Sequence, residues 1–307
     1  MKIFISAVVV IVVVVIGGYL FTQSSFYKKS ETPQTPNTNP TMVDITATTT
    51  SEVKEEEKDK TKTVIGKSVE GRDIVAYHYG EGDTNLLFIG GIHGGYSWNT
   101  ALVSYELMDY LAQSSSTVPK NVRVTVIPVM NPDGLSKVVG STTGRFAQAD
   151  ISGSQETLIK GRFNANVVDL NRNFDCDWNE KGMWQNKAVS GGAAVFSEPE
   201  SQAVKAYVEA NTPDAVVVWY SSAGGVFASS CHNGVSGETT SIMKTFADAS
   251  GYRAYQDFDF YEITGDMVNW FAKKEIPAIS VLLATHTSTD WAKNKAGVDA
   301  LLKFYAK

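Results

Sequence analysis

His93 sits in a glycine-rich turn directly after an apolar run, in the stretch Gly90-Gly91-Ile92-His93-Gly94-Gly95-Tyr96. A histidine so placed can ligate a metal, serve as a general base near neutral pH, or do no more than satisfy a turn. Arg172 stands between Asn171 and Asn173, and a guanidinium fork flanked by amide donors suits a carboxylate. The alternative is a structural Arg172 paired with Asp169 or Asp175. The two cysteines, Cys176 and Cys231, are compatible with one disulfide in a domain outside the cytoplasm, or with two buried thiols.

These side chains need a scaffold that gathers them. From Thr63 onward apolar runs alternate with amphipathic stretches, the pattern of an α/β layered fold with a parallel or mixed sheet. The runs 74–79, 85–92, 122–129, 215–220 and 278–283 predict strands. Apolar recurrence at three and four residues predicts helices over 100–112, 199–210, 240–249, 265–274 and 292–306. In open α/β sheets the ligand crevice lies beyond the carboxyl ends of the strands. Polar or glycine-rich residues stand at four such ends: around His93, in NPDG at 131–134, in WYSSAGG at 219–225 and in LLATH at 282–286.

The 307 residues are 43% hydrophobic and 20% charged, enough for one large core. A formal net charge of -6 supplies no basic field for a phosphate backbone and argues against a nucleic-acid partner. Residues 1–25 contain an apolar run from Ile3 to Leu20, long enough as a helix to cross about 30 Å of hydrocarbon. No small-x-small cleavage site follows it, so an uncleaved membrane anchor is expected ahead of the alternative, a signal segment lost on secretion. Residues 26–62, rich in Thr, Pro, Glu and Lys, lack the large apolar side chains that would offset their ordering entropy, and read as a stalk. Residues 63–307 are then one folded domain, a monomer at the cell surface or in the periplasm. There Cys176 and Cys231 would be oxidised to a disulfide.

Taken in order, GKSVEGRDI, GGIHGG, NPDG, NANVVDLNRNF, YSSAGG, YEITGDMVNW and IPAISVLL resemble the metallocarboxypeptidases of the carboxypeptidase A type. The resemblance runs from about Thr63 to the C-terminus. It implies an α/β/α sandwich around a mixed, twisted sheet, with an active-site funnel at the strand ends. In that family two histidines and a glutamate hold a zinc, and a fourth position stays open for the water that becomes the nucleophile.

On this resemblance His93 is the first histidine ligand. The glutamate's counterpart is Ser97, or else Tyr96, and the second histidine's is Tyr220, so neither ligand is functional. Leu282 occupies the place of the general base; leucine cannot move a proton, a loss commonly of about 10²–10⁴-fold in rate. Other positions match. Asn171 and Arg172 correspond to the pair that clamps the substrate's terminal carboxylate, Tyr261 to the tyrosine that closes over the peptide, and Arg162 to the arginine that polarises the scissile carbonyl. Val268, near the specificity position, brings no acid there and points to an apolar or neutral pocket. Val167 stands where the motif usually has glycine, which would strain a turn. The expectation is a pseudoenzyme with weak or absent zinc that binds the C-termini of peptides or of peptidoglycan stem peptides. The alternative is an active zinc carboxypeptidase with substitute ligands among Tyr96, Tyr220, His232 and His286, although tyrosine is a poor neutral ligand for zinc.

Overall fold

The computed structural model describes residues 61–140, 145–151 and 153–307. The anchor reading, and all but the last two residues of the stalk reading, fall outside them. Among the described residues no helix is long and apolar enough to cross a membrane.

In chain order the main-sheet strands are β1 (Lys62–Lys67), β2 (Asp73–Tyr79), β3 (Thr84–Ile89), β4 (Val122–Ile127), β7 (Ala215–Ser221), β8 (Gly225–Ala228), β9 (Arg253–Tyr255) and β10 (Ala278–Leu283). They lie in the order β1-β2-β4-β3-β7-β10-β8-β9. The central strands β4, β3, β7 and β10 run parallel, while β2 pairs antiparallel with β4 and β8 antiparallel with β10. Two further strands, β5 (Lys181–Trp184) and β6 (Lys187–Ser190), form a separate hairpin.

Parallel strands covered on both faces read as continuous Val/Ile/Leu runs rather than as alternation, and AVVVWYS and AISVLL do so. Leu86, Phe88, Val217, Trp219 and Val281 belong to one core, shared with Leu107 of α1 (Trp98–Ala112), Phe246 of α5 (Gly237–Ser250) and Leu301 of α7 (Trp291–Tyr305). Leu87, Ile89, Val216, Val218, Tyr220 and Leu282 belong to the other, shared with Val204 of α4 (Pro199–Asn211) and Trp270 of α6 (Met267–Lys273). This is the expected α/β/α sandwich.

The predicted strands 85–92 and 122–129 overrun the real ones. After Ile89 and Ile127 the chain turns, with Gly90 N donating to Ile127 O and Met130 N to Gly90 O. The remaining strands, β1, β5, β6, β8 and β9, and the short helices α2 (Pro132–Val139) and α3 (Gln155–Lys160) were not expected. For α2 a local signal existed. Asn131 caps it by accepting from Gly134 N at 2.8 Å, Pro132 begins it, and Gly140 ends it at a φ of 72°. NPDG is therefore a helix start, and its Asp133 is fully buried, accepting from Ser68 Oγ, Glu70 N and Arg72 Nη1.

Val167 has a φ of 62° in a turn where its N–H donates to Asn164 O. A left-handed backbone costs a β-branched residue roughly 1–2 kcal/mol, and with 65% of Val167 exposed little burial compensates. Val167→Gly is expected to stabilise the domain by about 1 kcal/mol net of glycine's greater unfolded-state entropy, a Tm gain of about 2–4 °C. A thermal melt with an unchanged or lower Tm would show that the turn is unstrained.

Candidate active site

Three of the four parallel strands, β3, β7 and β10, deliver their carboxyl ends to one cavity of about 820 Å³, within the usual range for a ligand site, whereas NPDG after β4 does not line it. His93 reaches it from the turn after β3. Gly94, at a φ of 40°, lies so close to α2 that a Cβ there would meet Leu135 N and Gly161 O at 2.7 Å. The tight turn delivers the chain to Ser97, the residue before α1, whose N–H donates to His93 O. Both ring nitrogens of His93 and the hydroxyl of Ser97 are buried without a hydrogen-bond partner.

Asp169 lies beneath them, fully buried. Its Oδ2 is 2.9 Å from Arg162 Nε and 2.8 Å from Arg162 Nη2, and its Oδ1 accepts from Asn171 N. Oδ1 stands 3.6 Å from His93 Nε2, too far for a hydrogen bond. Arg162 also lies over the Trp184 ring, 4.4 Å from its centre. Burial, then the Arg162 charge, lowers the His93 pKa to about 4, with Asp169 opposing in part. Burial opposes ionisation of Asp169, but Arg162 and the other cations hold its carboxyl well below the usual range.

Tyr220 and Leu282 are register partners on β7 and β10 and both line the cavity. The phenol of Tyr220 donates to Asn171 Oδ1 at 3.1 Å, and burial raises its pKa well above the ordinary value. Asn171 is otherwise occupied too: Oδ1 accepts from Met267 N, and Nδ2 donates to Asp266 Oδ2 at 2.7 Å. Asp266 caps α6 by accepting from Asn269 N, and burial raises its pKa. Val268 lines the cavity, but so do Asp257, Glu262 and Asp266. The pocket is thus not free of acids, as residue 268 alone suggested.

Arg172 pairs with neither carboxylate considered for it, since Asp169 takes Arg162 and Asp175 takes Lys273. Its Nε and Nη2 donate to Met183 O and its Nη1 to Asn171 O. Gly265, at a φ of 62°, packs so closely on this loop that a Cβ would meet Arg172 O at 2.3 Å. Tyr261 lies on the cavity wall, 5.9 Å from the Arg172 guanidinium. Cys176 and Cys231 are joined, with Cα atoms 6.2 Å apart. Of the other residues considered as ligands, Tyr96 and His286 line the cavity, whereas His232 faces Asp177 beside the disulfide. The sequence reading missed Asp169 as the partner of Arg162, and missed Trp184, Asp266, Ser221 and Asn99. Asp266 carries a local signal, an Asp at the N-cap of a predicted helix, and the others carry none, because each acquires its role through tertiary contacts.

A profile of zinc carboxypeptidases matches residues 47–305. This chain belongs to the zinc carboxypeptidase family. Human carboxypeptidase N catalytic chain is 27% identical over 184 residues, 55% of this chain and 37% of that one. Human carboxypeptidase D is 31% identical over 123 residues, 36% of this chain and 8% of that one. The match thus spans well under two thirds of either relative. Among solved structures, bovine thrombin-activatable fibrinolysis inhibitor superposes with a TM-score of 0.62 at 16% identity, covering 79% of this chain and 87% of that one. Murein-tripeptide amidase from Escherichia coli O157 does so with 0.57 at 21%, covering 80% and 93%.

The family implies a zinc, but the donor set here does not fit one. Around His93 stand a neutral hydroxyl, a phenol whose proton is spent on Asn171, and the aliphatic Leu282. The adjacent carboxylate, Asp169, is engaged by Arg162. Among the described residues only Cys176, Asp177, Cys231 and His232 bring three or more His, Cys, Asp or Glu donor atoms within 4.8 Å of one another, and there the two sulfurs are bonded to each other. A catalytic zinc needs three good protein ligands close together, and at the position of His93 the described residues bring one.

Two measurements test these electrostatics. Asp169→Asn leaves the Arg162 charge buried without its counterion and is expected to cost about 3–5 kcal/mol in denaturant unfolding; a loss under about 1 kcal/mol would show that the pair is dispensable. His93 supplies a pH dependence. Between its unfolded pKa near 6.5 and its folded pKa of about 4 the unfolded chain binds a proton that the folded one refuses. Stability therefore falls as pH drops through that window, by roughly 3 kcal/mol in all. In chelator-treated protein His93→Gln should remove that part of the slope, and an unchanged slope would exclude His93 as its source.

Proposed function

We propose that this member of the family holds the carboxyl-terminal segment of a peptide in the funnel without hydrolysing it. The observation that carries this reading is the occupancy of three positions. Where the resemblance assigns a ligand, a second ligand and a base, this chain has Ser97 or else Tyr96, then Tyr220 and Leu282. Groups that could hold a peptide persist. Arg162 is on the cavity wall, and its Nη1 makes no hydrogen bond among the described residues. Arg172, after its bonds to Met183 O and Asn171 O, keeps one N–H on each terminal nitrogen. Asn171 lines the cavity and keeps the second hydrogen of its Nδ2, so the carboxylate grip rests on Arg162 and Asn171, with Arg172 and Tyr261 beside them. Phe258 and Phe260, ring centres 5.0 Å apart, extend the wall outward as an apolar contact surface.

The ligand is extracytoplasmic in this reading, because residues 1–25 carry the sequence features of an anchor. Cell-wall stem peptides are one such class, and the murein-tripeptide amidase gives a precedent on the same fold.

After dialysis the purified domain is expected to hold much less than one zinc per chain. It should bind a peptide with a free C-terminus more tightly than its amidated form, and show no chelator-sensitive turnover of either. Stoichiometric zinc with robust turnover would establish the active-enzyme alternative. Equal binding of both peptides would remove the carboxylate grip. Combining Ser97→Glu, Tyr220→His and Leu282→Glu should restore zinc and measurable cleavage where no single change does, since ligands and base act as a unit. A triple variant that binds zinc stoichiometrically and cleaves nothing would show that the base or the substrate-binding groups are misplaced.

A further inference from the structure

A hydrogen-bond chain on the cavity wall fixes a histidine that the family reading leaves without a role. It starts at Asn99, fully buried in the first turn of α1. Its Nδ2 donates to Thr285 O and Ser288 O, both at 2.8 Å. Two carbonyls can face only the amide nitrogen, so the orientation of the side chain is settled and Oδ1 points to Ser221. Ser221 Oγ lies 3.1 Å from that Oδ1 and 3.0 Å from His286 Nδ1. An amide oxygen only accepts, so the single hydroxyl proton of Ser221 goes to Asn99. Ser221 Oγ must then accept from His286, which requires the hydrogen on Nδ1 and leaves the lone pair on Nε2.

Among the described residues no hydrogen bond reaches His286 Nε2, and His286 lines the cavity with its ring tilted on Tyr96 at 4.7 Å. Burial, then the Arg162 charge, lowers its pKa below the ordinary value, so the ring stays neutral near neutral pH.

We infer that Asn99 and Ser221 lock His286 in the Nδ1–H tautomer so that its Nε2 offers the cavity a hydrogen-bond acceptor for an N–H donor of the bound peptide. Arg162, which like His286 packs against the Tyr96 ring, supplies the cavity with a cationic donor. His286 Nε2 is a neutral acceptor in a cavity whose other side-chain acceptors include the carboxyls of Asp257, Glu262 and Asp266, and it needs no metal. A backbone amide has the neutral N–H that such an acceptor takes. The ligand assignment rests on the peptide-binding reading, whereas the tautomer does not.

The experiment has two arms on the whole domain. Long-range ¹H–¹⁵N spectra at pH 8 should show His286 as the Nδ1–H form, and Ser221→Ala should give a mixture of tautomers while the other histidine signals stay in place. A wild-type His286 protonated at Nε2, or a tautomer unmoved by Ser221→Ala, overturns the inference whatever the protein binds. In the second arm N-acetyl-Ala-Ala-Phe and its three singly N-methylated forms are titrated into wild type and His286→Phe, which keeps a ring and removes the acceptor. The unmethylated peptide should bind the variant about 3- to 10-fold more weakly, and one methylated form should bind both proteins alike. Equal loss for all four peptides overturns the acceptor role. Failure of wild type to bind any of them, with the tautomer as expected, instead refutes the peptide-binding reading and with it the ligand assigned to Nε2.

Discussion

The carboxylate of Asp169 is the constraint on which the site is built. A fully buried charge is tolerable only where counterions and hydrogen bonds replace its water, and here Arg162 supplies the counterion while Asn171 N caps the other oxygen. Its own N–H donates to Ser190 O, so the same residue ties the 162–172 segment to β6. Arg162 cannot leave without stranding Asp169, and therefore stays against Trp184 on the cavity wall. Neither can the following turn, which aims Asn171 at Tyr220 and Asp266. The positive edge of the funnel is thus a consequence of core electrostatics as much as of any ligand.

Legibility in the sequence followed the range of the forces involved. The central strands could be read because burial on both faces leaves unbroken apolar runs, and Ala278–Leu283 was placed to the residue. Edge strands such as Arg253–Tyr255 are too short to show a period, and the hairpin of β5 and β6 has a single buried residue in KAVS. In the site, motif order points to His93, Ser97, Tyr220 and Leu282; His93, Tyr220 and Leu282 line the cavity, and register shows the last two to be neighbours. The partners of Arg172 could not be read, since the fold brings Arg162 to Asp169 and Lys273 to Asp175 and leaves Arg172 to the carbonyls of Met183 and Asn171. Asn99 was invisible for the same reason: the carbonyls that orient it, at 285 and 288, lie on a distant loop.

The residues that the resemblance sets at the ligand and base positions are not equivalent physically. Tyr220 is at home: its ring packs in the core, 5.7 Å from that of His93, and its hydroxyl has a partner. Leu282 is likewise at home, in the apolar cluster beside it. His93 and Ser97 are not, because three polar atoms there are buried without hydrogen bonds, and each such atom ordinarily costs about 1–3 kcal/mol. The Tyr220 and Leu282 side of this part of the cavity is therefore core, while the His93 and Ser97 side retains unmet polar demand. Such demand is met most cheaply by water or by polar groups of a ligand entering the cavity, since the surrounding turn is held too tightly by Gly94 and α2 to close on itself. On the peptide-binding reading proposed above, that asymmetry places the open polar contacts on the side of the cavity where His93 and Arg162 stand.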